Sequence, residues 1–169
     1  MTKRSLVFSL LLFPVIALGG CQGSGRAVED GATMAAAGAA PTAASPEYLT
    51  PFGAPTRPFS PAVRVGDLIF LSGQIGTDAR ASGTVVAGGI EAETRQTMDN
   101  IKTVLEAVGS GMDRVVKCTV MMADMKEWNR MNAVYRTYFP ADRMPARSAF
   151  GSNGLALDAR VEIECIATA

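Results

Sequence analysis

The chain reads as a single α+β domain with element order β-β-β-α-β-α-β-β, two helices covering one face of a mixed sheet. Three observations carry that reading. Short β-rich runs cluster before residue 90, two apolar stripes of helical period follow, and the chain closes on a strictly alternating strand from Val161 to Ala167. With 48% hydrophobic residues and 7% aromatics, 169 residues suffice for one well-buried domain.

Each element has its own signal. Val63, Val65 and Leu68 to Leu71 form two β-rich runs around Gly66-Asp67, a hairpin turn. Gly83-Thr84-Val85-Val86 is a third short strand candidate. From Ile90 to Val108, Met98, Ile101, Leu105 and Val108 fall at the spacing of an amphipathic helix, which Gly109 and Gly111 end. Val115 to Met122 is a β run with Val116, Cys118, Val120 and Met122 on one side. Asp124 and Glu127 give a capping signal for a second helix, whose stripe holds Trp128, Met131, Tyr135 and Tyr138. Pro140 and Pro145 bracket a loop, and Ser148 to Phe150 and Ala159 to Ala167 are the last strands. Trp128, Met131 and Tyr138 read as core. The Tyr135 ring can pack while its hydroxyl reaches a pocket.

The ends divide the chain into three parts. Residues 1–20 read as a lipoprotein signal peptide: Lys3 and Arg4 are a basic start, Leu6 to Leu18 an apolar run interrupted by Pro14, and Leu18-Gly19-Gly20-Cys21 resembles a bacterial lipobox with Cys21 the lipidated residue. The apolar run is too short for a stable membrane span, while several acyl chains on one cysteine anchor firmly. An ordinary secretory peptide, with Cys21 a stray thiol, is the rival reading. Gln22, rather than Asp, after the cysteine points to the outer membrane on the same resemblance, with the protein facing the periplasm. Residues 21–50, rich in Gly, Ala, Ser, Thr and Pro, are expected to form a flexible tether spanning on the order of 30 Å. Residues 51–169 hold the folded domain.

Composition excludes several chemistries. There is no histidine, which removes Ser-His and Cys-His schemes and the commonest metal ligand. The formal net charge is zero, and removing residues 1–20 leaves 14 bases against 16 acids. Such a chain has no electrostatic reason to seek nucleic acid. Acid–base work must fall to Asp, Glu, Lys, Tyr or Cys.

The last quarter carries the chemistry. Arg147, in Pro145-Ala146-Arg147-Ser148, can grip a carboxylate with two parallel hydrogen bonds, or it can be an ordinary rim salt bridge. On the last strand Val161, Ile163, Cys165 and Ala167 form an apolar face, while Glu162 and Glu164 lie on the other. That second face is either solvated or set against a partner subunit. A carboxylate in a partly apolar place can hold and deprotonate water, whereas Glu164 can instead pair with a cross-strand cation. Cys118 and Cys165 share the apolar parity of their strands and read as packing thiols, although nothing in the sequence fixes the distance between them and a disulfide stays open.

From about residue 51 onward the chain resembles the RidA (YjgF) family of enamine/imine deaminases. The resemblance rests on Arg57-Pro58-Phe59-Ser60, the run Val65 to Gln74, Asn100, Asn132-Ala133-Val134-Tyr135, Pro145 to Ser148, and Val161 to Glu164. It implies a chorismate-mutase-like fold and a homotrimer whose sheets form a central barrel, with sites between subunits. It further implies that Arg147 binds the substrate carboxylate and Glu162 orients the attacking water. Phe59, Ser72, Gly73, Asn132, Tyr135 and the backbone of Ala149 would line the pocket. The reaction implied is hydrolysis of 2-imino or enamino acids, such as 2-iminopropanoate from 2-aminoacrylate, to 2-keto acids and ammonia, with no metal or organic cofactor.

Three departures stand out. Phe59 replaces a tyrosine in the usual Gly-Pro-Tyr-Ser motif and Arg57 its glycine; Ala149 replaces a common cysteine; and the export signal is unexpected for enzymes that clear cytoplasmic imines. A non-catalytic trimeric module binding small carboxylates or a protein at the envelope is therefore the alternative. Endoribonuclease activity, an old family label, conflicts with the charge, the missing histidine and the export signal.

Overall fold

The computed structural model describes residues 44–54, 56–78 and 83–169, and its first strand is one the sequence did not announce. Strand β1 (Glu47–Leu49) pairs antiparallel with β2 (Ala62–Val65), placing Tyr48 opposite Val63 and Leu49 opposite Ala62. The stretch expected to be tether is thus ordered at its C-terminal end, because pairing satisfies its backbone and Leu49 packs on the core. The expected signal peptide, Cys21 and the tether up to residue 43 lie outside the described residues.

Gly66, at φ 58, turns β2 into β3 (Leu68–Leu71) as Gly66-Asp67 predicts. A short strand β4 (Gln74–Ile75) follows, and the predicted strand at Gly83–Val86 reduces to one isolated bridge, Thr77 with Val85. Helix α1 runs Ile90–Ala107, one residue short of the span its period gives, and buries Met98, Ile101, Val104 and Leu105. Strand β5 is Val115–Met122, helix α2 Trp128–Tyr135, strand β6 Ala146–Gly151 and strand β7 Val161–Thr168.

The sheet has seven strands in the order β1-β2-β3-β7-β5-β6, with β4 also pairing β7. Among the described residues only β5 and β6 pair in parallel, and they are joined through α2, since parallel neighbours need a crossover. Strand β7 pairs with β3, β4 and β5, so it is the most enclosed. Its Val161, Ile163, Cys165 and Ala167 are buried beneath the helices, and Glu162, Glu164 and Ile166 point to the opposite, helix-free face. The expected α+β fold, with two helices on a mixed sheet, is what forms.

Two expectations fail locally. Val116 is 44% exposed and Val115 buried, because the β5–β7 register shifts between Val115 and Lys117 and the irregularity reverses the alternation there. Cys118 and Cys165 are not free thiols. They are direct cross-strand partners on β5 and β7, with Cα atoms 4.1 Å apart, and form a disulfide. That register is invisible in either strand read alone.

Candidate active site

One group of side chains gathers on the helix side, at the β6 edge. Asp124 accepts a hydrogen bond from the Lys126 amide at 2.9 Å and starts a turn, Met125–Glu127, that runs into α2. Along α2, Trp128, Asn132 and Tyr135 fall at helical spacing on one face. Arg147 on β6 sits opposite Cys118 and so on the same side of the sheet. Its guanidinium carbon lies 4.8 Å from the Trp128 ring centre and 4.7 Å from that of Tyr135, and its Nη1 donates to Asn132 Oδ1 at 2.8 Å. Two ring faces and one amide therefore fix the plane of the cation.

Among the described residues no carboxylate pairs with Arg147, so the rim salt bridge weighed for it does not form. The remaining N–H groups of the fork are available to an anion. Tyr135 backs the arginine without offering a hydroxyl. Its Oη is buried with no hydrogen-bond partner among the described residues, and its ring also packs on Phe139. Burial pushes the Tyr135 phenol up to about 12, with the Arg147 charge opposing, so it stays neutral.

The second group lies on the helix-free face. Glu162 stands opposite Ile75 on β4 and Met121 on β5, half-buried, with its carboxylate against Gly73. A β-carbon at position 73 would overlap Glu162 Oε1, so any other residue there moves the acid's side chain. Burial first, and then the charge of Glu164, raise the Glu162 pKa above the ordinary carboxylate value. Ser72 holds this corner together. Its Oγ donates to the Ser60 carbonyl at 2.7 Å, its amide donates to the Pro61 carbonyl at 3.1 Å, and its own carbonyl accepts from Gln74 Nε2 at 3.1 Å.

Phe59 lies on the loop that Ser72 ties down, 46% exposed, with the Arg57 guanidinium 6.0 Å from its ring centre. It lines a cleft of about 490 Å³ with Phe52, Arg57, Gln74 and Asn100. Ala149, on the same side of β6 as Arg147, is half-buried against the core. The fold thus brings Asn132 and Tyr135 to Arg147, and Ser72 and Gly73 to Glu162. It does not bring Arg147 to Glu162: the two stand on opposite faces of one sheet.

Trp128, expected as core, does pack against the core cluster, and it also presents its ring to Arg147, a contact the sequence did not announce. Its seven-residue spacing from Tyr135, with Asn132 between, was the available signal. Among the described residues no cluster of acids and cysteines has the makings of a metal site, and no helix is long and apolar enough to cross a membrane.

Known proteins share this arrangement of elements. A mouse protein named 2-iminobutanoate/2-iminopropanoate deaminase is 43% identical over 110 residues, covering 65% of this chain and 80% of that one. The crystal structure of the YjgF gene product from Escherichia coli superposes with a TM-score of 0.62 at 33% identity, covering 68% of this chain and 90% of that one. The crystal structure of RidA from an Antarctic Psychrobacter gives 0.63 at 32%, covering 69% and 92%. The family model described as endoribonuclease L-PSP matches residues 51–169, the whole sheet-and-helix region apart from β1. The chain belongs to the endoribonuclease L-PSP family, the family of the RidA and YjgF proteins.

Proposed function

We propose that this protein hydrolyses small 2-imino and enamino acids to 2-keto acids and ammonia. The observation that carries the reading is Arg147: a guanidinium oriented by Trp128, Tyr135 and Asn132 and pairing with no acid among the described residues. A short carboxylate is the natural ligand of such a fork. The mouse relative's name gives the imino acid class.

The chemistry needs little more than orientation. The substrate carboxylate docks on Arg147, and Glu162 accepts a proton from a water as its oxygen bonds to the imine carbon. Glu162 hands that proton to the imine nitrogen, giving a carbinolamine. It then takes the carbinolamine hydroxyl proton and passes it to nitrogen as the C–N bond breaks, so that ammonia leaves and the oxygen becomes the keto group. The raised pKa makes Glu162 a better proton acceptor than an ordinary carboxylate and lets it return the proton to the departing nitrogen.

The working site is read as intersubunit, in a homotrimer. Two observations support this: Arg147 and Glu162 occupy opposite faces of one chain, and the helix-free face exposes Val65, Leu68 and Phe70, an apolar surface suited to another copy. Phe59, Ser72, Gly73, Asn132 and Ala149 are proposed to shape the pocket, with Tyr135 acting as the support of Arg147. Lipidation at Cys21 and a periplasm-facing place at the outer membrane are proposed from residues 1–22 alone. A ribonuclease reading finds no support in a chain without histidine and with 14 bases against 16 acids beyond residue 20.

The test is a coupled assay in which a dehydratase generates 2-aminoacrylate in place, with the Arg147→Ala protein and a no-protein blank beside it. Imine decay faster than both controls is expected. Decay matching the blank, from folded protein, leaves the carboxylate-binding module as the function.

A further inference from the structure

A charged network lies outside both groups of site residues. Glu91, Arg130, Glu127, Arg160 and Glu93 alternate in sign along one line of contacts. Arg130 Nε donates to Glu91 Oε1 at 2.7 Å, and Arg130 Nη1 lies 3.5 Å from Glu127 Oε1. Arg160 Nη1 reaches both oxygens of Glu127 at 3.0 Å. The same arginine turns to Glu93, with Nε at 3.7 Å from Oε1 and its backbone amide donating to Oε2 at 2.7 Å.

Burial sets this apart from ordinary surface pairing. The Glu93 side chain is 6% exposed and that of Glu127 14%, so neither carboxylate can fall back on water as an exposed acid would. Arg160 touches both, and apart from it the one cation on Glu127 among the described residues is Arg130, at the longer distance.

The places these residues occupy give the network its meaning. Glu127 immediately precedes Trp128, whose ring carries Arg147. Arg160 stands two residues before Glu162 and leads into β7. Glu93 belongs to the first turn of α1. Met98, Ile101 and Leu105 already fasten α1 to the sheet through the apolar core, so what the ion pairs add is the registration of the element ends. We propose that Arg160 is a positioning residue: through Glu127 it sets the aromatic support of Arg147, and through its own backbone it sets the start of the strand that presents Glu162. One side chain thereby tunes carboxylate binding and water activation together, without touching substrate.

The proposal rests on the carboxylate reading of Arg147, and the full-length chain tests the two separately. Trp128 is the single tryptophan, so its emission reports on the support of Arg147 alone. Propanoate serves as a non-reacting carboxylate probe. Wild-type emission is expected to respond to propanoate, Arg160→Gln to raise the propanoate Kd on the order of tenfold and to lower kcat for imine hydrolysis by a similar factor, and Arg160→Lys to restore part of both. A purely structural arginine would lower the melting temperature and leave Kd and kcat unchanged at 25 °C, and that result overturns the proposal. If Arg160→Gln does not fold, Arg160→Lys decides, since it keeps the charge and loses the fork: wild-type Kd and kcat in that variant overturn the proposal equally. A wild-type protein whose emission ignores propanoate overturns the carboxylate reading itself and the Arg160 role with it.

Discussion

The carboxylate of Glu162 rests against Gly73 with no room for a β-carbon between them. This contact occupies one side of the acid, and burial is the first cause of its raised pKa.

Replacing Gly73 by alanine therefore displaces Glu162 while leaving the core untouched. The expected result is a kcat lower by on the order of a hundredfold with the melting temperature little changed, read by steady-state imine hydrolysis and thermal unfolding. Wild-type kcat in Gly73→Ala would show that the placement of Glu162 is immaterial.

Arg147→Lys keeps a positive charge but loses the planar fork that lies over Trp128 and Tyr135. KM is expected to rise by roughly tenfold or more with a smaller change in kcat, the pattern of a lost binding contact. Since Arg147 holds no ion pair among the described residues, stability should barely move. A kcat that falls as far as kcat/KM, with KM unchanged, would place Arg147 in the chemical step instead.

The raised pKa of Glu162 has opposite consequences for stability and activity. The folded state favours the protonated carboxyl, so this group costs no stability below the ordinary value of 4.5 and weakens the fold as pH rises through the raised pKa. In the proposed mechanism activity needs the carboxylate, so kcat/KM should fall as pH drops through that same raised pKa. Glu162→Gln is expected to abolish hydrolysis and raise the melting temperature at pH 7. Glu164→Gln removes the neighbouring charge and should move the acid limb of the pH profile downward. An unmoved limb would mean that the two acids do not interact.

The Cys118–Cys165 disulfide closes a loop with a sequence separation of 47, which corresponds to about 4 kcal/mol in loop-closure terms. The Cys118→Ala/Cys165→Ala protein should unfold at markedly lower urea, and dithiothreitol should bring the wild type down to match it. Coincident urea midpoints for oxidised and reduced wild type would remove this contribution.

Because Arg147 and Glu162 lie on opposite faces, an intersubunit site predicts complementation. Arg147→Ala and Glu162→Ala chains, each inactive alone, should regain about a quarter of wild-type activity when refolded together, the share of interfaces that random assortment leaves intact. No recovery in mixed oligomers would put both residues to work within one chain.

How far the sequence could be read depended on whether a signal was local. Helix α1 was legible to within a residue because Met98, Ile101, Leu105 and Val108 repeat at helical spacing and Gly109 marks its end, and β7 because every second residue from Val161 to Ala167 is apolar. Strand β1 was not, since Glu47-Tyr48-Leu49 is too short to show a period and exists only through pairing with β2. The reversed exposure of Val116 and the bonded cysteines both depend on the β5–β7 register, a relation between segments far apart in sequence. In the site, Arg147 and Glu162 were visible as chemical types in their motifs. Trp128 was legible as a core side chain, but its contact with Arg147 was not, because an aromatic on a helical stripe has the same pattern whether or not it also carries a cation. The separation of Arg147 and Glu162 onto opposite faces needed the sheet order itself.

Strand β1 has a mechanical consequence. It forms one edge of the sheet and β6, which bears Arg147, forms the other, with β2, β3, β7 and β5 between them. A pull on the chain from its N-terminal side enters the fold at β1 and meets three cross-strand pairs before any core strand. Load applied there is expected to part those pairs first, as a fuse does, while β6 and its Arg147 stay five positions away from the strain.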